Sequence, residues 1–117
     1  MILDVKNLHH SYGEIEALNN LSFSIKNSSI VSVLGPSGCG KTTLIRVIAG
    51  LESVQKGEIF IEDTIVANNQ LNTPPEKRPI SYVFQDFALF PHMTVLENIS
   101  FAAGSRKNKK QLIDQVI

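Results

Sequence analysis

The chain has 117 residues, the length of at most one ordinary domain, and its 43% hydrophobic content is sufficient for a folded core. Its 11 basic and 11 acidic residues cancel, which excludes the broad basic surface that binds nucleic acid or anionic lipid. A lone cysteine, Cys39, excludes an internal disulfide, and no apolar run approaches the ~18–20 residues of a membrane helix. We expect a soluble, cytoplasmic protein that binds no nucleic acid.

The first 25 residues contain two stretches in which apolar and polar residues alternate. Residues 3–6 and residues 21–25 both show this period of two, which is typical of a strand with one solvated face. A polar connection lies between the two stretches, and Asn27–Ser29 predicts a turn after the second.

The next segment predicts a strand, a glycine-rich turn and a helix in that order. Ile30–Leu34 is almost entirely apolar and β-branched, as expected of a strand buried on both faces of a parallel sheet. After the glycine-rich stretch the period becomes helical, and Gly50 stands where the helix would end. The apolar face of this helix consists of Leu44, Val47, Ile48 and Leu51.

The second half of the chain predicts further elements. Residues 58–62 alternate with Ile59 and Ile61 on one face, residues 68–79 form a polar, proline-rich surface loop, and Ile80–Phe84 is an apolar strand. Thr94 and Glu97 have capping-box spacing and predict a helix that runs towards Ala103, with a break at residues 104–107.

The last segment predicts a helix that Asn108 would cap. Its apolar face consists of Leu112, Ile113, Val116 and Ile117. The pattern stops at Ile117 without a capping glycine, so we expect the chain to stop inside a larger domain; a short docking helix at a true terminus is the alternative.

One motif carries specific chemistry, the pattern G-x-x-x-x-G-K-[ST] that binds nucleotide phosphates. It consists of Gly35, Pro36, Ser37, Gly38, Cys39, Gly40, Lys41 and Thr42. Glycines let backbone N–H groups approach phosphate oxygens, and the helix that follows directs the positive end of its dipole at the same place. Lys41 would bind the β- and γ-phosphates, Thr42 would offer its hydroxyl to Mg²⁺, and Thr43 adds a donor. A chance glycine-rich turn is disfavoured, because a strand pattern precedes the motif and a helical pattern follows it.

The residues around this loop resemble the ATP-binding subunit of ABC transporters. The resemblance rests on Tyr12-Gly13 before the loop, on the two alternating stretches, and on the wording GPSGCGKTTLIRVIAGLE of the loop and helix. It rests equally on SYVFQDFALFPHMTVLENI at residues 81–99, which is similar to the glutamine loop and following segment of spermidine, ferric-iron and sugar importers.

This resemblance implies an α/β fold, a P-loop NTPase core with an antiparallel β-subdomain that is truncated before the signature motif and the Walker B strand. Residues 1–104 would be the N-terminal part of the ATPase domain, and residues 105–117 the start of a helical subdomain.

The resemblance also implies roles for individual residues. Tyr12 would stack on adenine, while Gln85 would reach Mg²⁺ and the attacking water and act with Lys41 in catalysis. The apolar patch Phe87–Phe90 would receive a transmembrane permease subunit, which places the protein at the inner face of the membrane, and a second ATPase subunit would complete the assembly. His9, His10 and His92 lack metal-ligand spacing and are read as ordinary surface or core histidines.

The sequence departs from the family in what it lacks. It contains no LSGGQ-type signature, no apolar strand that ends in Asp-Glu and no switch histidine after it. We therefore expect the chain by itself to bind Mg-ATP weakly and not to hydrolyse it efficiently, because phosphoryl transfer needs several positioned groups at once. Two alternatives remain open: a nucleoside-monophosphate kinase of the guanylate type, whose loop has similar wording, and a non-catalytic nucleotide-binding fragment.

Overall fold

The computed structural model describes residues 2–36, 38, 40–84, 89–103 and 109–116, without the side chains at 102, 103, 109, 112, 113 and 116. The chain forms two compact units, Met1–Tyr82 and Val83–Ile117. Within the described residues, the first unit contains a four-stranded antiparallel sheet, one α-helix and a short 3₁₀ turn, and the second contains two short α-helices.

The sheet begins with a long hairpin of strands β1 (Leu3–Tyr12) and β2 (Ile15–Ile25). Only Gly13 and Glu14 connect the two strands, with Gly13 at a φ of 60°. The predicted polar connection between two short strands is therefore wrong, since most of it pairs within the sheet. The turn predicted at Asn27–Ser29 is confirmed.

The alternation of apolar and polar residues along β1 and β2 is interrupted because these strands contain bulges. Their register shifts three times, between Val5 and Ser11. Asn7 and Asn20 adopt positive φ values of 50° and 51°, and the Asn7 side-chain amide donates a 2.9 Å hydrogen bond to the Asn20 side-chain oxygen. Each extra residue moves the following side chains to the other face, so a simple period of two cannot describe them.

Strands β3 (Lys56–Ile61) and β4 (Thr64–Ala67) complete the sheet in the order β2-β1-β3-β4. The prediction for β3 is confirmed, because Ile59 and Ile61 both face the core and are buried. Glu62 and Asp63 form a two-residue turn with positive φ at both positions, the conformation that connects tight hairpins.

Helix α1 (Lys41–Ala49) contributes to the core of this sheet and ends as predicted at Gly50, which is left-handed. Its buried side chains Leu44 and Val47 join the apolar core cluster. The other buried members of that cluster are Val5, Leu8, Leu18, Val54, Ile59, Ile61, Val66 and Ala67.

The strand predictions for Ile30–Leu34 and Ile80–Phe84 are wrong. Neither segment is a strand, and both are largely exposed, with Ile30 99% and Val83 91% accessible. A parallel strand needs partners on its edges to satisfy its backbone, and within the described residues the sheet consists of β1 to β4 alone. Apolar sequence without pairing edges thus stays outside the sheet.

Residues 68–79 are more than the predicted surface loop. They contain a 3₁₀ turn at Pro75–Lys77, and Arg78 is only 3% exposed. The Arg78 guanidinium donates to the carbonyls of Val47 (3.1 Å) and Ile48 (2.8 Å) in the last turn of α1. It also donates to the Thr73 carbonyl and the Asn72 side chain, both at 2.8 Å. Arg78 therefore acts as a side-chain cap for the end of α1.

The second unit contains α2 (Val95–Ala103) and α3 (Lys109–Val116). The predicted capping box opens α2: the Glu97 N–H donates to the Thr94 hydroxyl at 3.1 Å, and the Thr94 N–H to the Glu97 carboxylate at 3.4 Å. The predicted break at 104–107, the Asn108 cap and the side chains of the α3 apolar face lie outside the described residues.

Replacement of Arg78 with methionine should lower the free energy of unfolding by about 2–4 kcal/mol, because the carbonyls of Val47, Ile48, Val66 and Thr73 lose their donor. Arg78→Lys should recover only part of this loss, since one ammonium cannot reproduce the planar fork. Urea titration followed by circular dichroism measures both. An Arg78→Met variant as stable as the parent would contradict the capping role.

Candidate functional site

The start of α1 is built on a left-handed glycine. Gly40 precedes Lys41 with φ 96°, and a Cβ at this position would lie 2.3 Å from the Ala17 carbonyl oxygen of β2. Only glycine fits both the conformation and the approach. Within the described residues no side chain caps this helix start, so its first N–H groups lack the usual side-chain acceptor. This geometry suits an anion.

The Lys41 side chain folds back over the loop that precedes the helix. Its ammonium donates to the carbonyl oxygens of Gly35 and of Pro36, the second at 3.1 Å. Both carbonyls are exposed to solvent, and the side chain of Lys41 is half-buried. A cation held by carbonyl oxygens next to a helix N-terminus can exchange these partners for a more strongly negative one.

The two threonines after Lys41 differ in environment. Thr42 is exposed, whereas Thr43 is buried and its hydroxyl lies 3.4 Å from the phenol oxygen of Tyr12. Tyr12 is 47% exposed at the end of β1, next to the hairpin turn. The structure therefore places the predicted Tyr12 beside the first turn of the predicted phosphate-binding helix.

Glu52 organises the surroundings of Tyr12. Its carboxylate accepts a hydrogen bond of 2.5 Å from the Tyr12 hydroxyl and lies 3.1 Å from His10 Nε2 through the same oxygen. The other carboxylate oxygen accepts from Arg46 Nε at 3.2 Å. The His10 ring is buried and meets the Tyr12 ring edge-to-face with centroids 4.8 Å apart.

These contacts shift the acidity of two groups. The hydrogen bond with Glu52 is the main cause that raises the pKa of Tyr12 above its ordinary value of 10.0. The pKa of Glu52 is lowered below 4.5, first by the hydrogen bond from Tyr12 and then by Arg46 and His10, against the opposing effect of burial. Since the one phenol proton is donated to Glu52, the Thr43 hydroxyl is the donor in its contact with Tyr12.

The structure brings some of the predicted site residues together and leaves others outside its description. Tyr12 and Thr43 are in contact, as are Lys41 and the carbonyls of Gly35 and Pro36. Gly38 is exposed with φ 82°. Four predicted site residues lie outside the described residues: Ser37, Cys39, Gln85 and Phe87.

Sequence reasoning missed Glu52 and the part of His10 in this cluster. Glu52 follows the helix-ending Gly50 by two residues, where an acidic side chain is normally solvated, and no pattern marked it. His10 appeared as an ordinary histidine because the β1 bulges hide which face it occupies. The only signal was position, since Glu52 closes the wording of the loop and helix that resembled the family.

Known proteins are similar to this chain over nearly its whole length. Residues 18–117 match the family described as "ABC transporter". The spermidine/putrescine import ATP-binding protein PotA of Thermotoga maritima is 44% identical over 97% of this chain. The trehalose/maltose import ATP-binding protein MalK of Thermococcus litoralis is 47% identical over 89% of it. The chain spans 30% and 28% of the lengths of these two relatives.

Solved structures with the same fold include two dimeric forms of the ATP-binding cassette MJ0796. One is a post-hydrolysis state bound to ADP and Pi, with a TM-score of 0.77 and 31% identity. The match covers 96% of this chain and 54% of the cassette chain. The other has a TM-score of 0.77 and 32% identity, with 94% and 52% coverage. The predicted fold class, a P-loop NTPase core with an antiparallel β-subdomain, is confirmed by this similarity. In the described part of the chain, every helix is too short to cross a bilayer.

The lowered pKa of Glu52 predicts a pH-dependent contribution to stability. A carboxyl group with a depressed folded-state pKa stabilises the protein above its ordinary pKa, and this contribution is lost as the pH falls through the folded pKa. Glu52→Gln should therefore be less stable than the parent by about 1 kcal/mol near pH 6. As the pH falls below the lowered folded-state pKa of Glu52, the carboxyl group becomes protonated and the two proteins should approach equal stability.

Denaturant titrations over this pH range measure the difference directly. Glu58→Gln is the matched control, because Glu58 is an exposed glutamate on β3 of the same sheet. Its difference from the parent should stay near zero at every pH. A Glu52→Gln deficit that does not shrink with acid would show that the carboxylate charge contributes nothing.

Proposed function

The chain belongs to the ABC transporter family, and we propose that it is the N-terminal part of an ATP-binding subunit that couples ATP hydrolysis to solute import. One observation carries this proposal: a left-handed Gly40 opens α1 beside the Lys41 ammonium, whose hydrogen-bond acceptors among the described residues are the carbonyls of the exposed Gly35 and Pro36. Proteins similar to this chain include ATP-binding proteins of importers and a cassette that was solved with ADP and Pi.

The residues present fit a triphosphate with Mg²⁺. The uncapped N–H groups after Gly40 and the Lys41 ammonium would hold the β- and γ-phosphates. The backbone of residues 35–40, including Ser37 and Cys39, would surround them. The exposed Thr42 hydroxyl would be a ligand of Mg²⁺, which supplies charge neutralisation of the phosphate oxygens when bound. The Thr43 hydroxyl, in the first turn of the helix, instead contacts the Tyr12 phenol oxygen.

Tyr12 would bind the base. Its ring is half-exposed and lies next to the first turn of α1, so a nucleotide with phosphates at Gly40 has its base within reach of the ring. Aromatic stacking on a nucleobase contributes about 1–3 kcal/mol and tolerates any base. Specificity for adenine would therefore require additional contacts besides this ring.

We propose further that these 117 residues by themselves bind Mg-ATP weakly and do not hydrolyse it efficiently. Gln85 would reach Mg²⁺ and the attacking water, and Lys41 would stabilise charge on the transferred group. The sequence contains no signature motif, no Asp-Glu pair after an apolar strand and no switch histidine downstream. Phosphoryl transfer depends on several positioned groups that act as a unit. The phosphate-binding residues would therefore catalyse the reaction only slowly without those other groups.

The proposed assembly places the second unit against a transmembrane permease at the inner face of the membrane, with a second ATPase subunit as partner. The contact region is Phe87–Phe90. Leu89 in this region is 66% exposed, whereas Phe90 packs edge-to-face on Phe101 at 4.9 Å. An exposed leucine next to a partly exposed aromatic pair is suited to contact another protein.

The test of the phosphate site is Lys41→Ala, with Lys77→Ala as control because Lys77 is an exposed lysine of the same unit. Loss of a charge-assisted bond to phosphate should weaken Mg-ATP binding by about 10- to 100-fold, while Lys77→Ala leaves it unchanged. Calorimetric titration measures both. Equal affinities for the two variants would contradict the proposal, and phosphorylation of GMP by the parent would favour the kinase alternative instead.

A further inference from the structure

Tyr12 occupies a position where an aromatic ring would ordinarily be mobile. It ends β1, precedes a two-residue turn, and is half-exposed. A side chain in such a place samples several rotamers, and immobilising it when a ligand binds costs conformational entropy. A ring that is already fixed would avoid this cost.

The hydroxyl group of Tyr12 is held by residues at both ends of α1. Thr43 in the first turn contacts the phenol oxygen at 3.4 Å, and Glu52, just beyond the helix C-terminus, accepts its proton at 2.5 Å. The ring is thereby tied to the same helix whose N-terminus begins at Gly40. A fixed phenol therefore sets the distance between the ring and the proposed phosphate position.

Glu52 is itself held in place. Arg46, one turn before the end of α1, and the buried His10 of β1 bind its two carboxylate oxygens. A carboxylate with three partners from two elements is an oriented acceptor, unlike a solvated surface charge. The same His10 packs on the Tyr12 ring in a T-shaped contact, while Tyr12 remains half-exposed.

We infer that Glu52 is a positioning residue for nucleotide binding, which holds Tyr12 so that its ring is ready to stack on the base of a bound nucleoside triphosphate. This inference rests on the proposed function, since it assigns Tyr12 to the base. Glu52 touches neither base nor phosphate; it acts through the phenol. Its effect should consequently depend on the presence of a base in the ligand.

The experiment compares ATP with inorganic tripolyphosphate, both with Mg²⁺, as ligands of the parent chain and of Glu52→Ala. ATP binding should weaken about two- to tenfold, and tripolyphosphate binding should stay unchanged. Glu52→Gln keeps a neutral acceptor for the phenol and should give a smaller loss. Glu58→Gln, an exposed glutamate of the same sheet, should bind both ligands as the parent does.

A double-mutant cycle isolates the bond. Tyr12→Phe keeps the ring and removes the hydroxyl, so it should weaken ATP binding about as much as Glu52→Ala does. In the Tyr12→Phe background, Glu52→Ala should then cause no further loss. Additive losses would overturn the inference, because Glu52 would then act independently of the phenol.

A spectroscopic measurement detects the hydrogen bond between Tyr12 and Glu52 without any nucleotide. It also tests the inference if the Glu52→Ala chain does not fold. Alkaline titration of tyrosinate absorbance should show Tyr12 ionising at lower pH in Glu52→Gln than in the parent, because the acceptor for its proton has lost its charge. Tyr12→Phe identifies which of the two tyrosines contributes that signal. Unchanged titration in Glu52→Gln would overturn the inference.

The outcomes separate the two proposals. If the parent binds neither ATP nor tripolyphosphate, the proposed function fails and the inference falls with it. If the parent binds both ligands and the Glu52 variants lose both equally or lose neither, the inference alone is overturned. Selective loss of ATP supports both.

Discussion

The structure depends on how helix α1 is fixed to the antiparallel sheet at its two ends. At its start, Gly40 lies so close to the Ala17 carbonyl of β2 that a Cβ would approach that oxygen to 2.3 Å. At its end, the Arg78 guanidinium binds the carbonyls of Val47 and Ile48. The apolar contacts of Leu44 and Val47 lie between these two contact points of the helix. The strands therefore determine where the N-terminus of the helix points, and with it the position of the proposed phosphate site.

The two cations at the ends of α1 show how a chain of zero net charge creates local binding. Arg78 is buried at the negative end of the helix dipole, where a cation is stabilised, and it is fully bonded. Lys41 lies at the positive end, where the dipole disfavours a cation, and its partners are exposed carbonyls. An anion that reaches Gly40 would satisfy both the helix N-terminus and Lys41. Arg78 is thus structural, and Lys41 is available.

Sequence reasoning predicted the parts of the structure that are determined locally. Helix α1 with its glycine end, strand β3 and the capping box at Thr94 depend on short-range spacing. It failed where distant partners decide the outcome. Arg78 becomes buried through carbonyls about 30 residues away, and Glu52 meets Tyr12 across 40 residues. Asn7 and Asn20 interrupt the strand period with bulges that one strand's sequence does not reveal.

The wrong prediction for Ile30–Leu34 bears on the phosphate loop itself. A loop between a paired strand and a helix is held from both sides, but here the residues before Gly35 are exposed and belong to no strand. The bonds of Lys41 to the Gly35 and Pro36 carbonyls hold the loop from the helix side. A phosphate that binds Lys41 must displace these bonds, and this cost reduces the observed affinity. The weak ATP binding that we propose for these 117 residues is consistent with this arrangement.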